Sequence, residues 1–281
     1  MFNEEMEALG SNGSVIREIS DYAEKRVSEI GRDKVFNFSI GNPSIPAPQE
    51  VRDILINLIS NTDSTSLHGY TCAQGDEQVR KAIVENIMNR FNYNQDPSLI
   101  YMTCGAAASL AITLKAILKE DEEVILLAPF FPEYKVYIEN AGGKTVIVET
   151  KEGTFTPDIE KIRKAINENT RAIIINSPNN PTGVIFSNED IEKISKLLNE
   201  KSKEYGEPIF IIADEPYRPL AFDDIKVPYI PKIYDNTIVC NSYSKSLSLP
   251  GERIGYIAVS TRTINSKKIF FAVCGAGRAL G

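Results

Sequence analysis

The sequence predicts an α/β fold, a three-layer sandwich in which helices cover both faces of a mostly parallel sheet. Short apolar runs alternate with segments of helical periodicity from about residue 95 onward. Continuous apolar runs are typical of strands that are buried on both faces, and their alternation with helices is typical of parallel sheets. The chain has 281 residues, of which 42% are hydrophobic, so it is long enough to bury a substantial core in one or two domains.

The strands and helices of this fold can be placed in chain order. The candidate strands cover residues 99–102, 123–127, 145–148, 172–176, 209–213, 237–240 and 257–259. The candidate helices between them cover residues 106–118, 134–140, 158–166 and 188–205.

The two ends of the chain depart from the alternation. Residues 14–30 are predicted to form an amphipathic helix, followed by a strand-like run at residues 36–40 and a proline-rich turn at residues 41–48. Residues 267–281 have the pattern of a helix start that stops in the glycine-rich segment 275–281.

Composition argues against several functional classes. The net charge of -7 is unfavourable for a nucleic-acid-binding surface, which needs clustered lysine and arginine. A single histidine, His68, argues strongly against a histidine-built metal site or a Ser-His-Asp hydrolase, and we predict no metal. The four cysteines form no CxxC pair, no apolar run is long enough for a bilayer, and the N-terminus is acidic. We expect a cytoplasmic protein with reduced thiols.

The segment of residues 242–256, SYSKSLSLPGERIGY, is the most informative part of the chain. It places Lys245 between Ser244 and Ser246, close to Ser242, with Arg253 eight positions later. A lysine in this setting can hold an aldehyde as a Schiff base, and the hydroxyls and the arginine can hold a phosphate. Pyridoxal 5′-phosphate (PLP) carries both groups. The simpler interpretation is an ordinary serine- and lysine-rich loop before a strand.

Further candidate residues follow other predicted strands, at the edge where open α/β sheets bind ligands. Gly105, Ala106 and Ala107 begin a helix, where free backbone N–H groups can bind a phosphate, although they would also serve as a simple turn. Phe131 follows the next strand and can stack on a flat ring, although core packing is an equally ordinary role for an aromatic residue.

Two more strands end in polar residues. Asn180, in the motif SPNNPTG, can donate its amide N–H to a phenolic oxygen. Asp214 leaves an apolar strand, which is costly for a carboxylate unless a cation such as a protonated pyridine nitrogen pairs with it. Tyr217 follows three residues later and could reach the same phenolic oxygen. For Glu215 and Arg218 we expect only a solvated or local ion pair.

In order and spacing, these segments resemble the class I/II aminotransferases, the fold-type-I PLP enzymes of the aspartate aminotransferase kind, from about residue 10 to the last residue. The resemblance implies that Lys245 forms the Schiff base with PLP and later moves a proton between the substrate's Cα and the cofactor. It also implies that Arg253 binds the phosphate with help from Ser242 and Ser244, together with the backbone of residues 105–107.

The remaining roles are likewise implied by the resemblance. Phe131 would stack on the ring, Asn180 and Tyr217 would contact its phenolic oxygen, and Asp214 would keep its nitrogen protonated. These four residues complete the predicted cofactor site, with Lys245, Asp214 and Tyr217 as its catalytic members.

Two residues are expected to act outside the cofactor pocket of a single chain. Tyr70, in a His-Gly-Tyr motif, matches a tyrosine that reaches the phosphate of the neighbouring subunit, which implies a homodimer with shared sites. Gly41 matches a loop that closes over the substrate and would contact its carboxylate.

The resemblance also bears on domain organisation. Family members continue for roughly another hundred residues, in a small domain whose arginine binds the substrate's α-carboxylate. We expect residues 1–45 to be an N-terminal arm and part of the small domain, residues 46–281 to be the PLP-binding large domain, and the C-terminal small domain to be absent. On this interpretation the chain is a fragment or a truncated gene product, in which cofactor binding survives better than transamination.

The predicted function is transfer of an amino group from an L-amino acid, by default aspartate, to a 2-oxo acid. One alternative is a PLP-dependent lyase or synthase on the same scaffold, and another is a catalytically impaired, PLP-binding fragment. Product analysis separates the aminotransferase from the lyase, since transamination yields glutamate whereas elimination yields ammonia and pyruvate.

Overall fold

Seven strands form one mostly parallel sheet in the computed structural model, which describes residues 2–11 and 15–281. The strands are β1 (Ile100–Thr103), β2 (Glu123–Ala128), β3 (Lys144–Glu149), β4 (Thr170–Asn176), β5 (Phe210–Asp214), β6 (Thr237–Ser242) and β7 (Gly255–Val259). Their order across the sheet is β1-β7-β6-β5-β4-β2-β3, and β7 runs antiparallel to both of its neighbours. The predicted α/β fold class is confirmed.

Ten α-helices lie in the described part of the chain. They are α1 (Glu4–Ser11), α2 (Val15–Ile30), α3 (Gln49–Asn61), α4 (Ser64–His68), α5 (Glu77–Phe91), α6 (Ala106–Ile117), α7 (Glu133–Asn140), α8 (Ile159–Ala165), α9 (Asn188–Tyr205) and α10 (Ser266–Leu280). Side chains fix several helix starts: Asp76, Asp158 and Ser187 each accept hydrogen bonds from the first backbone N–H groups of α5, α8 and α9.

The sheet has a buried apolar cluster on each face because side chains alternate along its strands. Along β4, Ile173 and Ile175 join the cluster formed with α5, α8 and α9. Ala172 and Ile174 join the opposite cluster, formed with α6, α7 and α10. This alternation explains why the central strands appear as continuous apolar runs in the sequence.

Two predictions at the chain ends are wrong. Residues 36–40 form no strand, and Phe36 and Phe38 are exposed, because a strand forms only where another strand pairs with it. The glycine-rich segment does not end the last helix, since α10 continues through Gly275 and Gly277 to Leu280. Gly277 packs so closely that an added Cβ would lie 2.2 Å from the hydroxyl oxygen of Tyr101, which explains the glycine there.

The chain divides into two compact units, Met1–Pro46 and Ala47–Gly281. The first contains α1 and α2, and α2 matches the predicted helix of residues 14–30 except for Ser14, which lies outside the described residues. The second contains the sheet and its covering helices. The roles expected for residues 1–45 and 46–281 stay predictions.

Two features are absent from residues 2–11 and 15–281. None of the helices there is both long and apolar enough to span a bilayer. In the same residues, no group of three or more histidine, cysteine or acidic side chains is arranged to hold a metal ion.

Candidate active site

The C-terminal ends of the parallel strands share one edge of the sheet, and most of the predicted site residues lie along it. β4 and β5 end in register, with Asn176 beside Asp214. β7 begins at the same edge, and its Gly255 lies between Thr103 at the end of β1 and Ser242 at the end of β6. Parallel strands therefore bring together loops that are far apart in the chain.

Asp214 is a buried carboxylate with only one of its oxygens satisfied. Its Oδ2 accepts a hydrogen bond of 2.5 Å from the phenol hydroxyl of Tyr134 on α7. Its Oδ1 is buried and has no hydrogen-bond partner among the described residues. Burial raises the pKa of Asp214 to about 7, against the lowering effect of the hydrogen bond from Tyr134. A buried carboxylate oxygen in this state needs a donor, and a cationic donor would satisfy it best.

Tyr134 and Asn176 are site residues that the sequence interpretation did not assign. The Asn176 side chain donates to the backbone oxygen of Asp214 (3.0 Å) and accepts from the backbone N–H of Asn180 (2.7 Å). It therefore ties the loop after β4 to the end of β5. Asn176 could have been identified from the sequence, because it is a polar residue at the end of an apolar strand. Tyr134 gave no such signal, since its helical segment carries several aromatic residues.

Asn180 and Tyr217 lie together beside Asp214. Burial and the Asp214 charge raise the pKa of the Tyr217 phenol, the Asn180 side chain lowers it, and the net shift is upward. Tyr217 therefore stays protonated near neutral pH and can act as a donor. The structure thus brings two potential donors, an amide and a phenol, to the same place, as the sequence predicts.

Lys245 lies in the loop that follows β6, with the buried Ser242 and Ser244 before it. Its side chain is half-buried. Burial, together with the nearby charge of Arg253, lowers the pKa of the Lys245 amine. A lysine with a lowered pKa is more often neutral, and only the neutral amine is a nucleophile.

Gly105 and Arg253 form a cradle in front of α6. Gly105 precedes the helix with a φ of 92°, and no side chain caps the first N–H groups of α6. An added Cβ at Gly105 would lie 2.9 Å from the guanidinium of Arg253, and one at Gly255 would lie 2.8 Å from Gly105 backbone atoms. Glycines at both positions therefore allow an uncapped helix start and a guanidinium to approach one another, which is an anion-binding arrangement.

Phe131 occupies the segment between β2 and α7. Its ring is half-buried and packs against the cluster on the α6, α7 and α10 face. It meets the ring of Tyr134 edge to face, with centroids 5.6 Å apart and an interplanar angle of 85°. This contact fixes the orientation of Phe131 and leaves part of its surface accessible, as stacking on a ligand requires.

Tyr70 and Gly41 are the two remaining predicted residues. Tyr70 is fully exposed, in the turn that follows α4. Gly41 belongs to the N-terminal unit, Met1–Pro46. The roles expected for both residues stay predictions.

Glu215 and Arg218 form an ion pair, as expected, but the pair is buried and not solvated. The Arg218 guanidinium donates two hydrogen bonds to the Glu215 carboxylate and others to the backbone oxygens of Val227 and Pro228. It also lies over the ring of Phe91, which stacks on Tyr229. Sequence reasoning missed this burial because the aromatic residues come from distant parts of the chain. The pair pins the turn that carries Asp214 and Tyr217.

Comparison with known proteins gives this arrangement a family. Residues 33–272 match the family model described as aminotransferase class I and II. The chain is 32% identical over 229 residues to a probable aspartate/prephenate aminotransferase of Aquifex aeolicus, covering 80% of this chain and 56% of that protein. It is 31% identical over 252 residues to an aspartate aminotransferase of Pyrococcus abyssi, covering 88% of this chain and 61% of that one. It thus spans less than two thirds of the length of either relative.

Solved structures of aminotransferases have the same fold as this chain. An aminotransferase from Eubacterium rectale superposes with a TM-score of 0.97 at 52% identity, covering 100% of this chain and 71% of that one. The aspartate aminotransferase of Thermus thermophilus with maleate gives a TM-score of 0.86 at 25% identity, covering 99% of this chain and 68% of that one. The fold, the motif order and the family match lead to one conclusion: this chain belongs to the class I and II aminotransferase family.

Proposed function

We propose that this protein binds pyridoxal 5′-phosphate through Lys245 and transfers the amino group of an L-amino acid to a 2-oxo acid. The observation that carries the proposal is the buried, unsatisfied Oδ1 of Asp214, at the same sheet edge as Lys245 and the anion cradle of Gly105 and Arg253. A protonated pyridine, an aldehyde and a phosphate would satisfy these three features, and PLP carries all of them.

The residues fit the cofactor group by group. The uncapped N–H groups of residues 105–107 and the Arg253 guanidinium would hold the phosphate, with the Ser242 and Ser244 hydroxyls beside them. The accessible part of Phe131 would stack on the ring. In this proposal the anion-binding groups would hold the phosphate, and the unsatisfied carboxylate of Asp214 would pair with the ring nitrogen.

Bound PLP supplies an electron-accepting ring that takes up the electron pair left on the substrate's Cα when its proton is removed. Asp214 would hold the proton on the ring nitrogen, because a buried carboxylate whose Oδ1 has no partner among the described residues favours a cationic partner. Asn180 and Tyr217 would donate hydrogen bonds to the phenolic oxygen.

Lys245 would act twice. Its neutral amine would hold the cofactor at the aldehyde carbon, whose oxygen would leave as water. Once freed by the substrate's amine, Nζ would accept the proton from the substrate's Cα and donate it back. The lowered pKa of the Lys245 amine supports both steps, because each needs the neutral form.

For the substrate pair, the default is aspartate with 2-oxoglutarate. The Pyrococcus abyssi and Bacillus subtilis relatives are described as aspartate aminotransferases. A Thermococcus litoralis relative, 29% identical, is described as an aromatic-amino-acid aminotransferase. An amino-donor series that includes aspartate and tyrosine therefore belongs in the first assay.

We further propose that the protein is a homodimer in which Tyr70 reaches the partner's phosphate site. The support is an exposed apolar surface: Ile54, Ile56 and Ile59 of α3 are exposed, as is Tyr70. Analytical ultracentrifugation tests this, with a dimer expected and a monomer at all concentrations contradicting it. A cytoplasmic location stays a prediction.

The test of the function begins with absorption spectroscopy. The purified chain is mixed with PLP and its visible spectrum recorded, with Lys245→Ala as the control, and L-aspartate is then added. We expect an absorption band of the protein-bound cofactor that the variant lacks, and bleaching of this band by the amino donor. An identical spectrum for Lys245→Ala would contradict the proposal, and ammonia release without formation of an amino acid from 2-oxoglutarate would favour a lyase.

A further inference from the structure

We infer that Tyr134 is the positioning residue of Asp214. The Tyr134 hydroxyl hydrogen bonds to Oδ2 of Asp214, so that Oδ1 is the oxygen left to receive a cationic ring N–H. The same hydrogen bond favours the ionised form of the carboxylate. The inference rests on the proposed function for the identity of that cation. It concerns a residue for which the sequence motifs assign no role.

The Tyr134 hydroxyl is held in place from several directions. The side chain is 2% exposed, and its ring packs in the cluster between the sheet and α6, α7 and α10. The edge-to-face contact with Phe131 restrains the ring further. A hydroxyl on such a restrained ring has little freedom to leave Asp214, so the 2.5 Å hydrogen bond fixes the carboxylate plane.

Tyr134 can only be the donor in this bond. Burial, together with the Asp214 charge, holds the pKa of the Tyr134 phenol well above its usual value, so the hydroxyl keeps its proton. A carboxylate accepts hydrogen bonds at two oxygens, and Tyr134 satisfies one of them. The other, Oδ1, has no partner within the described part of the chain. Tyr134 thereby decides which oxygen remains to receive a ligand.

The hydrogen bond from Tyr134 also affects the charge of Asp214, because it lowers the pKa of a carboxyl that its surroundings raise. The groups that face the carboxyl are Tyr134 and Tyr137 from α7, Glu215 and Tyr217 from its own loop, and Cys240 from β6. Within the described residues this set contains no cation. Burial and the Glu215 charge both raise the pKa of Asp214, and the bond from Tyr134 opposes them.

Because the pKa of Asp214 stands at about 7, the loss of the bond decides its charge near neutral pH. Without Tyr134 the carboxyl would be about half protonated or more at about pH 8, since a hydrogen bond to a charged group is worth at least about one pKa unit. A neutral carboxyl stabilises a ring cation poorly. Tyr134→Phe is therefore expected to weaken PLP binding without removing any atom that contacts the cofactor.

The test compares Tyr134→Phe with Tyr234→Phe. Tyr234 is also buried, and its hydroxyl donates a 2.5 Å hydrogen bond to the Ile209 backbone oxygen, away from the site. Infrared difference spectra of the cofactor-free proteins follow the Asp214 carboxyl between about pH 5 and pH 9, with Asp214→Asn as the blank. We expect its pKa to rise by about one unit or more in Tyr134→Phe and to stay unchanged in Tyr234→Phe.

PLP titration of the same variants is the second readout. We expect affinity at about pH 8 to fall about twofold in Tyr134→Phe if the Asp214 pKa rises by one unit and about tenfold if it rises by two, and to be unchanged in Tyr234→Phe. An unchanged Asp214 pKa in Tyr134→Phe, or equal shifts in both variants, would overturn the inference. Incorporation of 3-fluorotyrosine at position 134 gives a test that does not depend on the folding of Tyr134→Phe. Its more acidic hydroxyl donates more strongly, so the Asp214 pKa should fall, and a rise would contradict the role.

These results separate the inference from the proposed function. If the unaltered protein does not bind PLP, the proposed function fails, while the Asp214 titration still decides whether Tyr134 controls the carboxyl. If PLP binds through Lys245 and the titration shows no effect of Tyr134, the function stands and the inference fails.

Discussion

Two buried carboxylates stand side by side where β5 ends, and among the described residues only one of them, Glu215, forms an ion pair. Side chains alternate along the strand, so Asp214 continues the face of Ile212 and Glu215 the face of Ala213. Glu215 meets the guanidinium of Arg218. Asp214 meets a neutral phenol and keeps one oxygen without a partner among the described residues.

Under the proposed function, the difference separates a carboxylate that stabilises the fold from one that binds a ligand. A buried carboxylate with a built-in cation is neutralised within the fold, and it holds a turn in place. A buried carboxylate without one is costly to the fold and is retained where a ligand completes it. The following predictions test this contrast, beginning with the largest effect.

Arg218→Met removes the cation of Glu215. We expect the free energy of unfolding to fall by about 3–5 kcal/mol, because Glu215 would be left charged and buried. Urea denaturation measures the loss. The double variant Glu215→Gln/Arg218→Met should recover part of it, since no charge remains buried. If the free energy of unfolding fell by less than about 1 kcal/mol in Arg218→Met, the pair would contribute no more than a surface ion pair does.

Asp214→Asn should raise the free energy of unfolding of the cofactor-free protein, whereas Arg218→Met lowers it. The folded-state pKa of Asp214 is raised to about 7, so the folded state holds this proton more tightly than the unfolded state does. The wild-type protein therefore loses stability as pH rises from about 4 to about 7, by up to about 4 kcal/mol. The variant lacks this loss and should be the more stable protein above about pH 7.

Urea denaturation at about pH 4 and about pH 8 measures the effect of Asp214→Asn. Asp21→Asn, at an exposed position on α2, controls for the change in net charge. Equal stability of the Asp214→Asn variant and the wild-type protein at the higher pH would show that Asp214 is already satisfied within the fold.

Gly255→Ala tests the anion cradle formed by Gly105 and Arg253. The new Cβ would lie 2.5 Å from the Asn241 backbone oxygen and 2.8 Å from backbone atoms of Gly105, so strand and cradle must move apart. We expect about 1–3 kcal/mol of destabilisation and weaker PLP binding. Gly251→Ala is the matched control, since no atom lies within 4 Å of its added Cβ. Equal behaviour of the two variants would argue against a tight cradle.

Arg163→Met should give the smallest change. The guanidinium of Arg163 lies 2.8 Å from a carboxylate oxygen of Glu200, but both side chains are substantially exposed. Water screens such a pair, so we expect no resolvable shift in the urea midpoint. A loss comparable to that of Arg218→Met would show that burial is not what distinguishes the two pairs.

Much of the fold could be predicted from the sequence because the central strands are short apolar runs flanked by helical patterns. The candidate strands at residues 172–176 and 209–213 differ from β4 and β5 by no more than two residues at either end. Residues 36–40 have a similar pattern yet form no strand, because pairing depends on a neighbouring strand that local sequence does not encode. α10 runs past its glycines because packing against Tyr101 outweighs their low helix propensity.

The candidate site was predictable where residues follow strands directly. Asp214, Asn180 and Lys245 could be singled out because polar groups at strand ends collect at one sheet edge. The Tyr134 contact was not predictable, since it joins residues 80 positions apart whose orientation depends on how α7 packs. The burial of Arg218 depends likewise on Phe91 and Tyr229, which tertiary packing brings together.

The central claim is that Asp214 is kept for the ring nitrogen of the cofactor, and PLP titration of Asp214→Asn beside the wild-type protein tests it most directly. The account predicts that affinity at about pH 8 falls at least about tenfold in the variant, because a buried charge pair is lost. It also predicts that the cofactor-free variant is no less stable. Unchanged affinity for PLP would contradict the claim.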